Sequence, residues 1–145
     1  SFYWRISGRA NLEFYAALYN LEAKTRVEEL LKLFNIDYAD KRFDTYSSGM
    51  KRKLAIIRAL LHDPEILLLD EPTRSLDYNS SLELRNLIKS QKEKGKTIIL
   101  ATHNLDEAKE LADEVVILNK GKIKINKHIN EAQELEETYK METCE

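Results

Sequence analysis

Apolar positions recur at helical spacing as far as residue 62 and change period after it. Leu12, Tyr15, Ala16 and Tyr19 share one face of a short amphipathic helix, capped by Asn11 and stopped at Asn20. Thr25 and Glu28 form a capping box ahead of Val27, Leu30, Leu31 and Phe34, the apolar face of a second helix that ends at Asn35. A third helix runs from Met50 to His62 and is halted by Asp63-Pro64. From Glu65 strands alternate with helices. Ile66 to Leu69 is an apolar run of strand length, followed by a helix over 79–94 that Gly95 closes. Thr97 to Thr102 is a second strand, followed by a helix over 105–112, and Val115 to Leu118 is a third. Asn119-Lys120-Gly121 and the alternating Lys122 to Ile125 predict a hairpin, and a charged helix is expected from Glu131.

Strands separated by helices of this length call for βαβ crossovers and a parallel sheet, so the fold class is α/β. The division expected is a helical subdomain over 1–62 and a partial α/β core over 63–145. A chain of 145 residues is long enough for one domain with a real core. Its net charge of −2 lacks the basic footprint of a general nucleic-acid binder, so no nucleic-acid partner is expected. The single cysteine, Cys144, makes no intrachain disulfide, and this fits a reducing, cytoplasmic setting. Apolar runs fall far short of the ~20 residues that cross a bilayer. Nothing at the start reads as a secretory signal, and Ser1-Phe2-Tyr3-Trp4 reads as the middle of a longer sequence.

The candidate chemistry lies between residues 46 and 103. Ile66 to Leu69 is read as a buried parallel strand delivering Asp70 and Glu71 at its C-terminal end, where α/β sheets hold phosphates. Alternation sends these two carboxylates to opposite sides, so they do different jobs. Alone, Asp70-Glu71-Pro72 is an acid-proline turn. Ser47-Ser48-Gly49 stands at the start of the third helix, whose amides and positive end make an anion site; alone, it is a serine N-cap. Gly95-Lys96-Thr97 imitates the end of a phosphate loop, but Ser90 stands where the first glycine is needed and a strand follows. No phosphate-cradling loop occurs in the sequence. Lys51-Arg52-Lys53 reads as a solvated helix face, and His62 and His128 as structural.

Taken together, Tyr46-Ser47-Ser48-Gly49-Met50, Ile66 to Pro72, Ser75-Leu76-Asp77 and His103 resemble an ATP-binding cassette (ABC) ATPase of the exporter type, in its C-terminal portion without the Walker A loop. The resemblance implies a partial P-loop NTPase fold and ATP and Mg²⁺ as cofactors. It implies Asp70 as a metal ligand, Glu71 as general base and His103 as the switch histidine at the γ-phosphate. Ser47, Ser48, Gly49 and Met50 would face the nucleotide of a second ATPase subunit, with Ser75 and Asp77 at the dimer seam. Tyr46, Ser48 and Met50 depart from the family's usual Leu-Ser-Gly-Gly-Gln. The partners implied are a second ATPase subunit and a transmembrane permease, placing the protein on the inner face of the cell membrane. Phe2, Tyr3 and Trp4 are expected on the surface that meets the membrane subunit. The family sets a further strand between those at 97–102 and 115–118. Without it those two strands are expected to pair directly or to drive self-association through open edges. The chain alone is expected to hydrolyse ATP negligibly. Two other readings stand beside this one: a non-catalytic remnant that pairs with a complete cassette, and a soluble cassette protein outside transport.

Overall fold

A computed structural model of the chain describes residues 2–128 and Tyr139. In chain order the elements are α1 (Gly8–Leu18), α2 (Ala23–Leu33), a single 3₁₀ turn (Phe43–Thr45), α3 (Ser48–Leu60), β1 (Ile66–Asp70), α4 (Tyr78–Glu93), β2 (Thr97–Ala101), α5 (Leu105–Leu111), β3 (Glu114–Asn119) and β4 (Lys122–His128). The charged helix expected from Glu131 lies outside the described residues, apart from Tyr139, which is helical. These elements fall into two compact units. One comprises the residues up to Leu68 together with Pro72–Ile99, the other Leu69–Glu71 together with residues from Leu100 onward.

In the first unit, α1, α2 and α3 bury their periodic apolar faces: Leu12 and Ala16, Val27 and Leu31, Leu54, Ile57 and Leu60 are all but inaccessible. Ends are set where a left-handed residue is tolerated. Asn20, Asn35 and Asp63 follow their helices at positive φ, and Gly95 does so after α4. The helix starts differ from the sequence reading. Ser7, not Asn11, caps α1, its Oγ accepting from Ala10 N at 3.1 Å. Asn11 is fully buried within the helix and clamps the preceding segment, accepting from Tyr3 N at 2.7 Å and donating to Tyr3 O at 2.9 Å. The capping box of Thr25 and Glu28 does not form either. Helix α2 begins at Ala23 without a side-chain cap, and Glu28 is taken by Arg9 of α1. In both cases a tertiary partner claimed the polar side chain. Lys51-Arg52-Lys53 is half-buried and is not simply a solvated face: Lys51 Nζ lies 5.0 Å from the Trp4 ring centre and Lys53 pairs with Glu83.

Strands β1 and β2 form a parallel pair joined through α4, as a βαβ crossover requires. Thr97 N donates to Glu65 O at one end of the pair and Glu71 N to Ala101 O at the other, both at 2.8 Å. The strand expected to be buried on both faces is covered on one. Leu67 and Leu69 are buried, while Ile66 and Leu68 are 59% and 71% exposed. An unbroken apolar run does not show which face lacks a covering layer. In the second unit β3 and β4 form the expected antiparallel hairpin, closed by Lys120 and Gly121 at positive φ. Among the described residues β3 pairs only with β4, so direct pairing with β2 does not occur. The strand that the resemblance sets between them is not among the described elements.

Candidate functional site

The predicted residues divide between the two units. In the first, Ser47 has extended backbone and caps α3, its Oγ accepting from Met50 N at 3.2 Å. That bond uses the hydroxyl as acceptor and leaves its proton to donate. Ser48 and Gly49 open the helix, where first-turn amides have no intrahelical acceptor. The positive end of a 13-residue helix thus carries a serine hydroxyl and outward amides at an exposed position. Tyr46 fixes the approach to this helix. It is buried, and its hydroxyl meets Tyr38 O at 2.9 Å and Ala39 O at 3.2 Å. Burial raises its pKa.

Gly49 is buried against the start of α4. A Cβ there would lie 3.3 Å from Ser80 Oγ and 3.7 Å from Leu76 Cδ2, so the close approach of the two helix starts depends on a missing side chain. Asp77 caps α4: its Oδ1 accepts from Ser80 N at 3.0 Å and its Oδ2 from Ser80 Oγ at 2.7 Å. The Ser80 amide first, and its hydroxyl second, hold the Asp77 carboxyl below its ordinary value. Ser75 precedes this cap at φ 61°, a left-handed conformation uncommon for serine. The first unit therefore brings Ser47 to Met50 together with Asp77, through Ser80, which sequence reasoning missed.

In the second unit Asp70 ends β1 as an exposed side chain, while Glu71 is turned out of the strand at φ 45° and is three-quarters buried. A non-glycine residue held left-handed at the end of a strand is the kind of local strain found at functional positions. Glu71 Oε1 lies 2.6 Å from His103 Nδ1 and accepts from His103 N at 3.2 Å. The turn bearing His103 is fixed on its far side, where Thr102 Oγ1 accepts from Asn104 N and Asn104 Oδ1 accepts from the amides of Asp106 and Glu107. His103 itself stays two-thirds exposed. Glu71 thus engages the Nδ1 edge of the ring. Two further residues gain structural explanations: His62 stacks near Tyr19 and His128 lies 3.4 Å from Glu114.

Among the described residues no group of three or more His, Cys, Asp or Glu side chains could hold a metal ion. Asp70 fits a magnesium ion that takes one protein carboxylate and draws its other ligands from phosphate and water. It does not fit a protein-built cage.

Residues 3–107 match the family described as "AAA domain, putative AbiEii toxin, Type IV TA system". The chain is 41% identical over 125 residues to the ABC transporter ATP-binding protein NatA of Bacillus subtilis, covering 83% of this chain and 51% of NatA. It is 41% identical over 104 residues to the spermidine/putrescine import ATP-binding protein PotA of Clostridium novyi, covering 70% of this chain and 30% of PotA. A solved dimer of the ATP-binding cassette MJ0796, in a post-hydrolysis state with ADP and Pi, superposes with a TM-score of 0.77 at 23% identity, covering 90% of this chain and 60% of that one. That likeness is one of fold. The chain spans about half the length of NatA and less of PotA. It belongs to the AAA-domain family and, within it, corresponds to part of an ABC transporter ATP-binding protein, with the partial α/β fold of a P-loop NTPase.

Proposed function

We propose that this chain carries the hydrolytic and dimer-facing residues of an ABC transporter ATPase, and that the helical part over 1–62 and the core over 63–145 contribute to different faces of a composite site. The observation that carries this is the Glu71 carboxylate held on the His103 ring and amide, at the ends of two paired strands. ATP with Mg²⁺ would supply the transferable phosphoryl group and neutralise its charge. Asp70 is the metal ligand and Glu71 the general base that takes a proton from the attacking water. His103 offers Nε2 toward the terminal phosphate.

Ser47, Ser48, Gly49 and Met50 face the nucleotide of a second subunit. The Ser47 hydroxyl and the first amides of α3 donate to its phosphate, and Ser75 and Asp77 lie at the seam. The implied partners are that second ATPase subunit and a transmembrane permease, at the cytoplasmic face of the membrane. No described helix is long and apolar enough to cross a membrane. Export rests on the Tyr46 to Met50 variant and on the similarity of the segment Ser1 to Tyr19, since the similarity to PotA is to a protein named for import.

A second reading is a non-catalytic partner that lends Ser47 to Gly49 to a complete cassette, and the exposed Ser47 cap at the start of α3 supports it. One experiment addresses both. The chain is mixed with NatA and followed by sedimentation with and without ATP. ATP-dependent association abolished by Ser47→Ala with Gly49→Ala is expected, and association indifferent to ATP would reject the composite site. On the first reading the chain alone shows no magnesium-dependent ATP turnover in the ~1 to 100 s⁻¹ range of phosphoryl-transfer enzymes.

A further inference from the structure

Arg74 lies on the edge of the first unit that the composite site uses. It follows Pro72 and Thr73, both buried, and precedes the Asp77 cap of α4. Leu76 N donates to Thr73 O at 3.1 Å, which closes a turn with Arg74 and Ser75 at its tip. Both tip residues are exposed, and Ser75 holds its left-handed φ of 61° there. The turn packs against the start of α3, since a Cβ on Gly49 would lie 3.7 Å from Leu76 Cδ2. One edge therefore carries the Ser47 cap, the opening amides of α3 and the turn that bears Arg74.

Other arginines of this unit are engaged. Arg9 pairs with Asp40 and Glu28, Arg26 with Glu29 and Asp63, and Arg42 with Asp44, while Arg58 lies over the rings of Phe2 and Tyr15. Among the described residues Arg74, like Arg5 and Arg52, has neither an ion pair nor a side-chain hydrogen bond. Of these three, only Arg74 belongs to the turn packed against the opening of α3. Asp77 stands three residues on, but both of its oxygens already accept from Ser80. A guanidinium has five donors and no acceptor, and its planar fork matches a carboxylate or a phosphate. Phosphate is the better match here. The neighbouring groups at α3 are donors too, a Ser47 hydroxyl proton and amides without intrahelical acceptors, so this edge calls for an oxyanion that accepts several bonds at once.

We propose that Arg74 is a further substrate-contacting residue of the composite site, its guanidinium donating to the γ-phosphate of the nucleotide that the second subunit holds. This rests on the reading of Ser47 to Met50 as partner-facing. A cation supplied in trans offsets charge on the phosphoryl oxygens and is withdrawn when the subunits part. The test is sedimentation of the chain with NatA in ATP, in ADP and without nucleotide. Arg74→Gln should weaken the ATP-dependent association about tenfold or more, as loss of a charge-assisted hydrogen bond does. Arg74→Lys, which keeps the charge without the fork, should recover part of that loss. With ADP, which has no γ-phosphate, the unmutated chain and Arg74→Gln should behave alike. The thermal midpoint should not move, because the exposed side chain has no described partner to lose. Association with ATP that ignores Arg74→Gln yet is abolished by Ser47→Ala with Gly49→Ala would overturn the proposal and leave the composite site standing. An equal loss with ATP and ADP, or a lowered midpoint, would overturn it too. No ATP-dependent association of the unmutated chain would remove the composite site and Arg74 with it.

Discussion

Residues 71 and 103 are separated by 32 positions, and nothing in their spacing announces a contact. Only the pairing of β1 with β2 brings them together. The sequence supplied each chemical type; the 2.6 Å contact needed the sheet. Asp77 and Ser80 show the converse, a purely local device that was open to reading as an N-cap and was passed over because Ser80 matched no motif. Since Ser80 depresses the Asp77 carboxyl, the stability that this cap contributes is complete above the ordinary carboxylate value and is lost as pH falls through the depressed one. Asp77→Asn, which still caps, should flatten the acid limb of stability, and Asp77→Ala should lower stability at neutral pH. Denaturant midpoints measured from pH 2 to 7 check both. Glu107 is a different case: it is fully buried, and neither carboxylate oxygen has a hydrogen-bond partner among the described residues. An unsatisfied buried polar group costs about 1–3 kcal/mol. Glu107→Leu is therefore expected to raise the thermal midpoint, and a fall would show that the carboxylate is engaged in solution.

At the scale of elements, the tightest fit is between α1 and the segment entering α3. A Cβ on Gly8 would stand 2.2 Å from the Tyr46 hydroxyl, which is already committed to the Tyr38 and Ala39 carbonyls. Gly8→Ala should thus cost about 1–3 kcal/mol, as overpacking does, and Gly8→Ala with Tyr46→Phe should recover part of that loss in the same melts. Every expected helix and strand within the described residues was legible, because Gly, Pro and Asn mark their ends and the apolar period changes near Glu65. The starts of α1 and α2 were not. A polar residue ahead of an apolar run reads as a cap unless its tertiary partner is known, and Asn11 and Glu28 serve Tyr3 and Arg9. The outward face of β1 was illegible for a related reason: Ile66 and Leu68 have the composition of a buried strand whether or not a layer covers them.

For the whole molecule that uncovered face has a consequence. Ile66 and Leu68 on β1 and Ile99 on β2 are all more than half exposed, and β2 and β3 each keep a side without a partner strand among the described residues. Apolar faces and open edges of this kind drive association. Sedimentation of the chain should show concentration-dependent self-association that Leu68→Lys reduces, whereas a monomer at every concentration would contradict this. The chain matches about half of NatA. The same fact sets the decisive measurement, single-turnover hydrolysis of magnesium-ATP by NatA carrying this chain in place of its matched segment. Turnover that Glu71→Gln lowers by about 10²–10⁴-fold, the usual contribution of a general base, with nucleotide affinity retained, is the expected result. An active chimera whose rate ignores Glu71→Gln would contradict the assignment of this strand end to catalysis.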